Sequence, residues 1–278
     1  MKLCNIQTPA GLHVCAKVNG TLRDLTAAGL LWDMNGLIEQ GEAGLYEAKR
    51  LLALAPEAEG TWGNVTVPGK IVCVGLNYAD HVKETGIHGG GEPVLFSKFN
   101  DCLSPCGGTV TLPPWRSRYD YEAELVIVIQ GETWAVDEAE AVRHIFGYTC
   151  GNDLSARDAQ KASSQWLIGK SMPGFAPAGP VIVTADEFNP NESHRIRCLR
   201  GETVVQDDDV KDMLFSCARI VSYASHYFRL HSGDLIFTGT PEGTIIGMQP
   251  RESRVYLTPG EQVTVEIEGI GALVTRLA

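Results

Sequence analysis

Arg118-Tyr-Asp-Tyr-Glu-Ala-Glu-Leu-Val-Ile-Val-Ile129 is the stretch on which the fold turns. Leu125 to Ile129 is an unbroken apolar run rich in β-branched residues and closed by Gln130-Gly131, the pattern of a strand buried on both faces. Side chains alternate faces along a strand, so Glu122 and Glu124 point the same way at its mouth. Two carboxylates held that close repel each other and lose hydration; they need a cation or a shared proton. A third acid, Asp153, follows one helix-and-strand unit later in Gly151-Asn-Asp-Leu-Ser-Ala-Arg-Asp158. Glu122, Glu124 and Asp153 are therefore candidate oxygen ligands for one hard divalent cation, Mg²⁺ first. Spacing alone also suits one solvated face of a sheet, so the rest of the chain must decide.

The chain has 278 residues, room for one large domain or a catalytic domain with a small appendage. Its formal charge of -11 disfavours nucleic acid as a partner. An acidic substrate would need local Arg, Lys or metal to attract it. No apolar run reaches membrane-span length, and Met1-Lys-Leu-Cys-Asn-Ile-Gln7 carries no secretory segment, so the expectation is a cytoplasmic protein without a membrane partner. Eight cysteines include no Cys-x-x-Cys pair and read as reduced, buried thiols.

Residues 1–67 read as a small N-terminal unit: two strands, 2–8 and 12–18, then an amphipathic helix over 42–54. From residue 68 onward the pattern changes. A strand over 70–76 runs into Asn77-Tyr-Ala-Asp-His-Val-Lys-Glu84, where His81 and Glu84 share a helical face. The glycines around His88 describe a loop. The Pro- and Gly-rich segment 173–180 reads as a wandering loop, and 209–228 as the clearest helix in the chain. Strands outnumber helices and rarely alternate with them. The expected class is α+β, predominantly β, with a mainly antiparallel, barrel-like core.

Asn77-Tyr-Ala-Asp-His81, Asp120-Tyr-Glu-Ala-Glu-Leu125, Gly151 to Asp158, Gly169-Lys-Ser171, Gly233-Asp234, Thr238-Gly-Thr-Pro241 and Val265-Glu-Ile-Glu-Gly-Ile-Gly271 occur in this order. Together they resemble the fumarylacetoacetate hydrolase family over residues 68–278. The resemblance implies a rolled, mixed sheet with few helices, a homodimer, and Mg²⁺ or Mn²⁺ held by Glu122, Glu124 and Asp153. It implies a His81–Glu84 dyad on a lid, with Arg157, Gln160 and Lys170 lining the site and Thr240 near a substrate carboxylate. The family includes acylpyruvate hydrolases, oxaloacetate decarboxylases, muconate-type isomerases and decarboxylases, and sugar-acid dehydratases, so the fold does not set the reaction.

These residue types suit a small 2-oxo acid. A cation polarises the keto group, and cleavage of the adjacent carbon–carbon bond leaves an enolate where positive charge is already placed. The expected reaction is hydrolysis of a 2,4-dioxo acid of the acylpyruvate or fumarylpyruvate type, as in the catabolism of aromatic compounds. His81 serves as base, Glu84 orients it, and Lys170 stabilises the enolate. Decarboxylation of oxaloacetate or isomerisation of a 2-hydroxymuconate is the alternative on the same ligands.

Overall fold

The structure is a computed structural model and describes residues 1–86 and 91–278. The loop expected around His88 falls at 87–90, outside the described residues. Ala123–Ile129 is the central strand of a large mixed sheet, and every residue in it is buried. From one edge the main path runs Thr21–Asp24, Gly11–Val18, Lys2–Thr8, Ala176–Thr184, Ile145–Asn152, Ala123–Ile129, Leu235–Phe237, Ile71–Gly75, Val94–Lys98. Neighbours on this path are antiparallel except Leu235–Phe237 with Ile71–Gly75.

The apolar run of the central strand is explained by what covers it. Leu125, Ile127 and Ile129 join one core with Ile196, Val263 and Val265 of a second, five-stranded sheet. Val126 and Val128 join another core with Leu37, Ile38, Ala48 and Leu51, carried by the helices Met34–Gln40 and Glu42–Leu52. A strand packed on both faces has no solvent side to make polar. The sheets are mixed and helices few, as expected, but they do not close into a barrel. The first strand continues the large sheet, Lys2 and Leu3 pairing with Val183 and Ile182. All eight cysteines are buried and free.

Two local expectations are corrected. Residues 209–228 are not one helix. Thr203–Asp209 is a strand paired with Arg195–Arg200, Val210–Asp212 is a single 3₁₀ turn, and the helix is Cys217–Ser225. The acidic run is held extended by its ladder, with Arg195 paired to Asp207, and Ser216 starts the helix by accepting from the Arg219 N–H at 3.2 Å. Cys217, Ile220, Val221 and Ala224 are its buried stripe. Likewise 173–180 is not all loop: Ala176–Thr184 is a fully buried strand despite Pro177 and Pro180. It pairs with Ile145–Asn152 across an irregular register, which spares the positions where a proline donates no hydrogen bond.

Candidate metal centre and active site

The end of the central strand brings the three acids together. Ligand oxygens of Glu122, Glu124 and Asp153 all lie within 4.8 Å of one another, and all three residues are buried. Asp153 follows the strand Ile145–Asn152, whose Asn152 is the Cα partner of Ala123, and its N–H donates to the Glu122 carbonyl at 2.9 Å. Ladder pairing therefore folds a distant acid back beside the pair.

Three buried cations surround them. Lys170 Nζ lies 2.7 Å from both Glu122 Oε2 and Asp153 Oδ2. Lys98 Nζ lies 2.5 Å from Asp153 Oδ1 while donating to the carbonyls of Leu154 and Phe175. Arg157 donates through Nε to Asp120 Oδ2 at 2.8 Å, through Nη2 to Glu122 Oε1 at 2.6 Å and through Nη1 to Gln160 Oε1 at 3.0 Å. Burial alone would raise the Glu122 carboxyl; Lys170 and Arg157 outweigh it and hold it below the usual range. Glu124 is the odd member. Among the described residues it has no ion pair, and its one hydrogen bond is from the Gly239 N–H at 2.8 Å. Burial, then Asp153 and Glu122, push its carboxyl well up. Gly239 sits at φ +100, and a Cβ there would lie 2.8 Å from Asn77 Cβ, so a side chain would displace this donor. A buried carboxylate with one neutral donor beside two further carboxylates suits a divalent cation with oxygen ligands, and the set fits one.

His81 lies on the helix Ala79–Thr85, seated by Asn77, which accepts from the Phe215 N–H and donates to the Thr238 and Phe215 carbonyls. His81 Nδ1 faces Glu84 Oε1 at 2.7 Å. Glu84 also accepts from the Gly243 N–H at 3.1 Å and from Thr244 Oγ1 at 2.9 Å. A Cβ on Gly247 would lie 2.2 Å from the Glu84 carboxylate, so a side chain there would have to displace that carboxylate. Glu84 is thus fixed on its far side and sets the imidazole, leaving Nε2 free of the pair. His81, Glu84, Glu122, Glu124, Arg157, Gln160, Lys170 and Thr240 all line one cavity of about 330 Å³, and Asp153 stands fully buried behind its wall. Thr240 Oγ1 accepts from Gln206 Nε2 at 2.8 Å, which leaves its own proton to donate.

The motif in residues 70–278 matches the model of the fumarylacetoacetate hydrolase C-terminal domain. The chain belongs to the fumarylacetoacetate hydrolase family. It is 36% identical over 251 residues to the oxaloacetate tautomerase FAHD2A, mitochondrial, of Homo sapiens, covering 88% of this chain and 79% of that one. Among solved structures, the fumarylacetoacetate hydrolase of psychrophilic Exiguobacterium antarcticum superposes with a TM-score of 0.88 at 32% identity, covering 100% of this chain and 99% of that one. A 2-hydroxyhepta-2,4-diene-1,7-dioate isomerase from Mycobacterium marinum gives a TM-score of 0.78 at 28% identity, covering 100% and 98%. The family is one of enzymes, and no described helix is long and apolar enough to cross a membrane.

Sequence reasoning missed Lys98, Asp120 and Gln206. Asp120 is fully buried and receives, besides Arg157, the N–H groups of Ile245 at 2.9 Å and Ile246 at 3.0 Å. It ties the acidic strand to the loop that closes on Glu84. Its only signal was its place in the opening stretch. Lys98 was visible as a charge inside an apolar strand, but its partner is 55 residues away in the chain and no spacing rule links them.

Proposed function

We propose that this protein is a divalent-metal-dependent enzyme that moves a proton between carbon and oxygen in a 2-oxo acid, a keto–enol tautomerase of the oxaloacetate type. The observation that carries the reading is that an oriented imidazole, His81 on Glu84, opens onto the same cavity as Glu122 and Glu124, with Asp153 buried beside them. The relatives named oxaloacetate tautomerase that match this chain over most of its length support it.

Glu122, Glu124 and Asp153 would hold Mg²⁺ or Mn²⁺. When bound, the cation supplies Lewis acidity to the substrate's keto oxygen. The remaining work falls to the chain. His81 Nε2 carries the proton between the carbon beside the keto group and the keto oxygen, taking it from one and giving it to the other, while Glu84 stabilises the charged imidazole. The Gln160 oxygen is occupied by Arg157, so its amide N–H groups remain for a substrate oxygen. Thr240 offers its hydroxyl proton to the carboxylate. The charge balance agrees. Among the described residues, Asp120, Glu122, Glu124 and Asp153 are set against Lys98, Arg157 and Lys170 as ion-pair partners, a net charge of minus one when all are ionised. A divalent cation reverses that sign and makes the inner end of the cavity attractive to an anion, although the chain as a whole is acidic.

Hydrolysis of a 2,4-dioxo acid is the second reading. The same His81 can deprotonate water, and a cavity of about 330 Å³ has room for an acyl arm beyond the triad. The test uses EDTA-treated protein, with ketonisation of the enol of oxaloacetate followed by absorbance and pyruvate release from acetylpyruvate measured in parallel. Acceleration of ketonisation that requires Mg²⁺ or Mn²⁺ and His81 is expected. Pyruvate release with no effect on the enol would replace the first reading by the second.

A further inference from the structure

The proton transfer uses none of the apolar side chains in the cavity wall, which are Val74, Leu76, Phe96, Trp166 and Ile246. The two largest, Phe96 and Trp166, are half-buried and pack edge to face, with ring centroids 5.2 Å apart and planes at 71°. The benzo edge of the indole lies over Gly75. A Cβ built on Gly75 would come 2.6 Å from Trp166 Cζ3 and 3.0 Å from Cη2. Gly75 ends the strand Ile71–Gly75, with Val94 as its Cα partner, and its φ is outside the left-handed region that favours glycine. Backbone conformation therefore does not account for this glycine, and a glycine in a strand gives up side-chain packing. The indole accounts for it: only a missing Cβ lets the ring rest against the strand.

A second glycine fixes the turn that carries Trp166. The helical turn Leu167–Lys170 starts at Trp166, whose carbonyl accepts from the Gly169 N–H at 3.0 Å. A Cβ on Gly169 would lie 2.3 Å from the Gln160 backbone nitrogen and 2.5 Å from its Cα. Those atoms do not swing aside as a side chain does, so the turn is seated on Gln160. The same turn carries Lys170, whose Nζ stands 2.7 Å from Glu122 Oε2 and 5.2 Å from the centroid of the Phe96 ring. Trp166 and Lys170 are four residues apart, about 6 Å along a helix axis. One fixed piece of chain thus holds the ammonium beside the acids and the indole one step further out, with Phe96 against both. That step is the length of a few carbon–carbon bonds, where the chain of a 2-oxo acid extends past its keto carbon.

We infer that Trp166 is a specificity-determining residue of this site: seated by Gly75 and Gly169, its indole is a wall that sets how much bulk a substrate carries beyond its keto carbon. This rests on the 2-oxo acid reading above and adds the residue that selects among such acids by size. A wall of this kind rejects an oversized group because close-packed surroundings have no void to take it up. Removing the indole opens that room. A methyl on Gly75 drives the ring off the strand, toward the cavity it borders.

The test is calorimetric binding of 2-oxobutanoate and 2-oxo-4-phenylbutanoate to the Mg²⁺-loaded full chain, read as the ratio of the two Kd values. Trp166→Ala should shift that ratio about tenfold in favour of the phenyl acid, and Trp166→Phe by less. Gly75→Ala should shift it the other way. An unchanged ratio in Trp166→Ala, with both acids weakened alike or not at all, would overturn the wall. So would a shift against the phenyl acid, which would make the indole a stacking platform. If Trp166→Ala does not fold, Trp166→Phe and Gly75→Ala decide by their opposite signs, and shifts of the same sign would overturn the inference. If 2-oxobutanoate does not bind the native metal-loaded chain, the wall falls together with the reading it rests on.

Discussion

The same pairing of arginine with carboxylate occurs in two places with opposite consequences. On the five-stranded sheet, Arg195 pairs with Asp207, and Arg197 lies 2.6 Å from Glu266, across neighbouring strands in contact with water. At the end of the central strand, Arg157 pairs with Asp120 and Glu122 with every partner buried. In water an ion pair exchanges one solvation for another and contributes little. Without water each charge depends on its partner, and removing one strands the other. The surface pairs decorate a ladder that the backbone already holds. The buried set decides where three carboxylates stand.

The strongest way to break this contrast is Arg157→Met, which leaves Asp120 buried without an ion-pair partner among the described residues and Glu122 with Lys170 alone. It should cost about 3–5 kcal/mol of stability, read by denaturant unfolding. A loss no larger than that of a surface variant would mean that water reaches the cluster. His81→Ala comes next. Turnover should fall about 10²- to 10⁴-fold with Mg²⁺ binding retained, because His81 is tied to Glu84 and not to the triad. Unchanged kcat would remove it as the base. A third experiment sharpens the odd position of Glu124. Free Mg²⁺ at a hundredfold above its Kd should stabilise the native protein by about 2.7 kcal/mol. Glu124→Gln should lose most of that gain without losing stability in EDTA, since Glu124 is in no ion pair among the described residues. The smallest effect belongs to the surface: Arg195→Gln should leave Tm unchanged within measurement error, and a clear drop would show that the exposed ladder matters more than its solvation suggests.

Much of the site was legible because its chemistry is carried by short motifs. Glu122 and Glu124 share a face through strand alternation, and His81 and Glu84 meet through one helical turn; both relations are local. The misread segments have the opposite character. The helix expected from 209 starts only at Cys217, and Asp209 instead ends the strand Thr203–Asp209, because Arg195–Arg200 supplies a complementary ladder up to it. Residues 176–180 contain two prolines and still belong to a buried strand, because Ile145–Asn152 and Leu103–Ser104 pair along it. In each case the paired strand outweighs the local preference.

By itself the sequence determined the class of the fold, the buried central strand and the family-like order of motifs, since these rest on periodicity and on neighbours a few residues apart. The tertiary structure alone decided that Lys98 reaches Asp153 and that Asp120 joins Arg157 to the loop at Ile245. The reason is physical: charges buried or confined together act on one another over a few ångströms of space, and sequence separation carries no record of that distance.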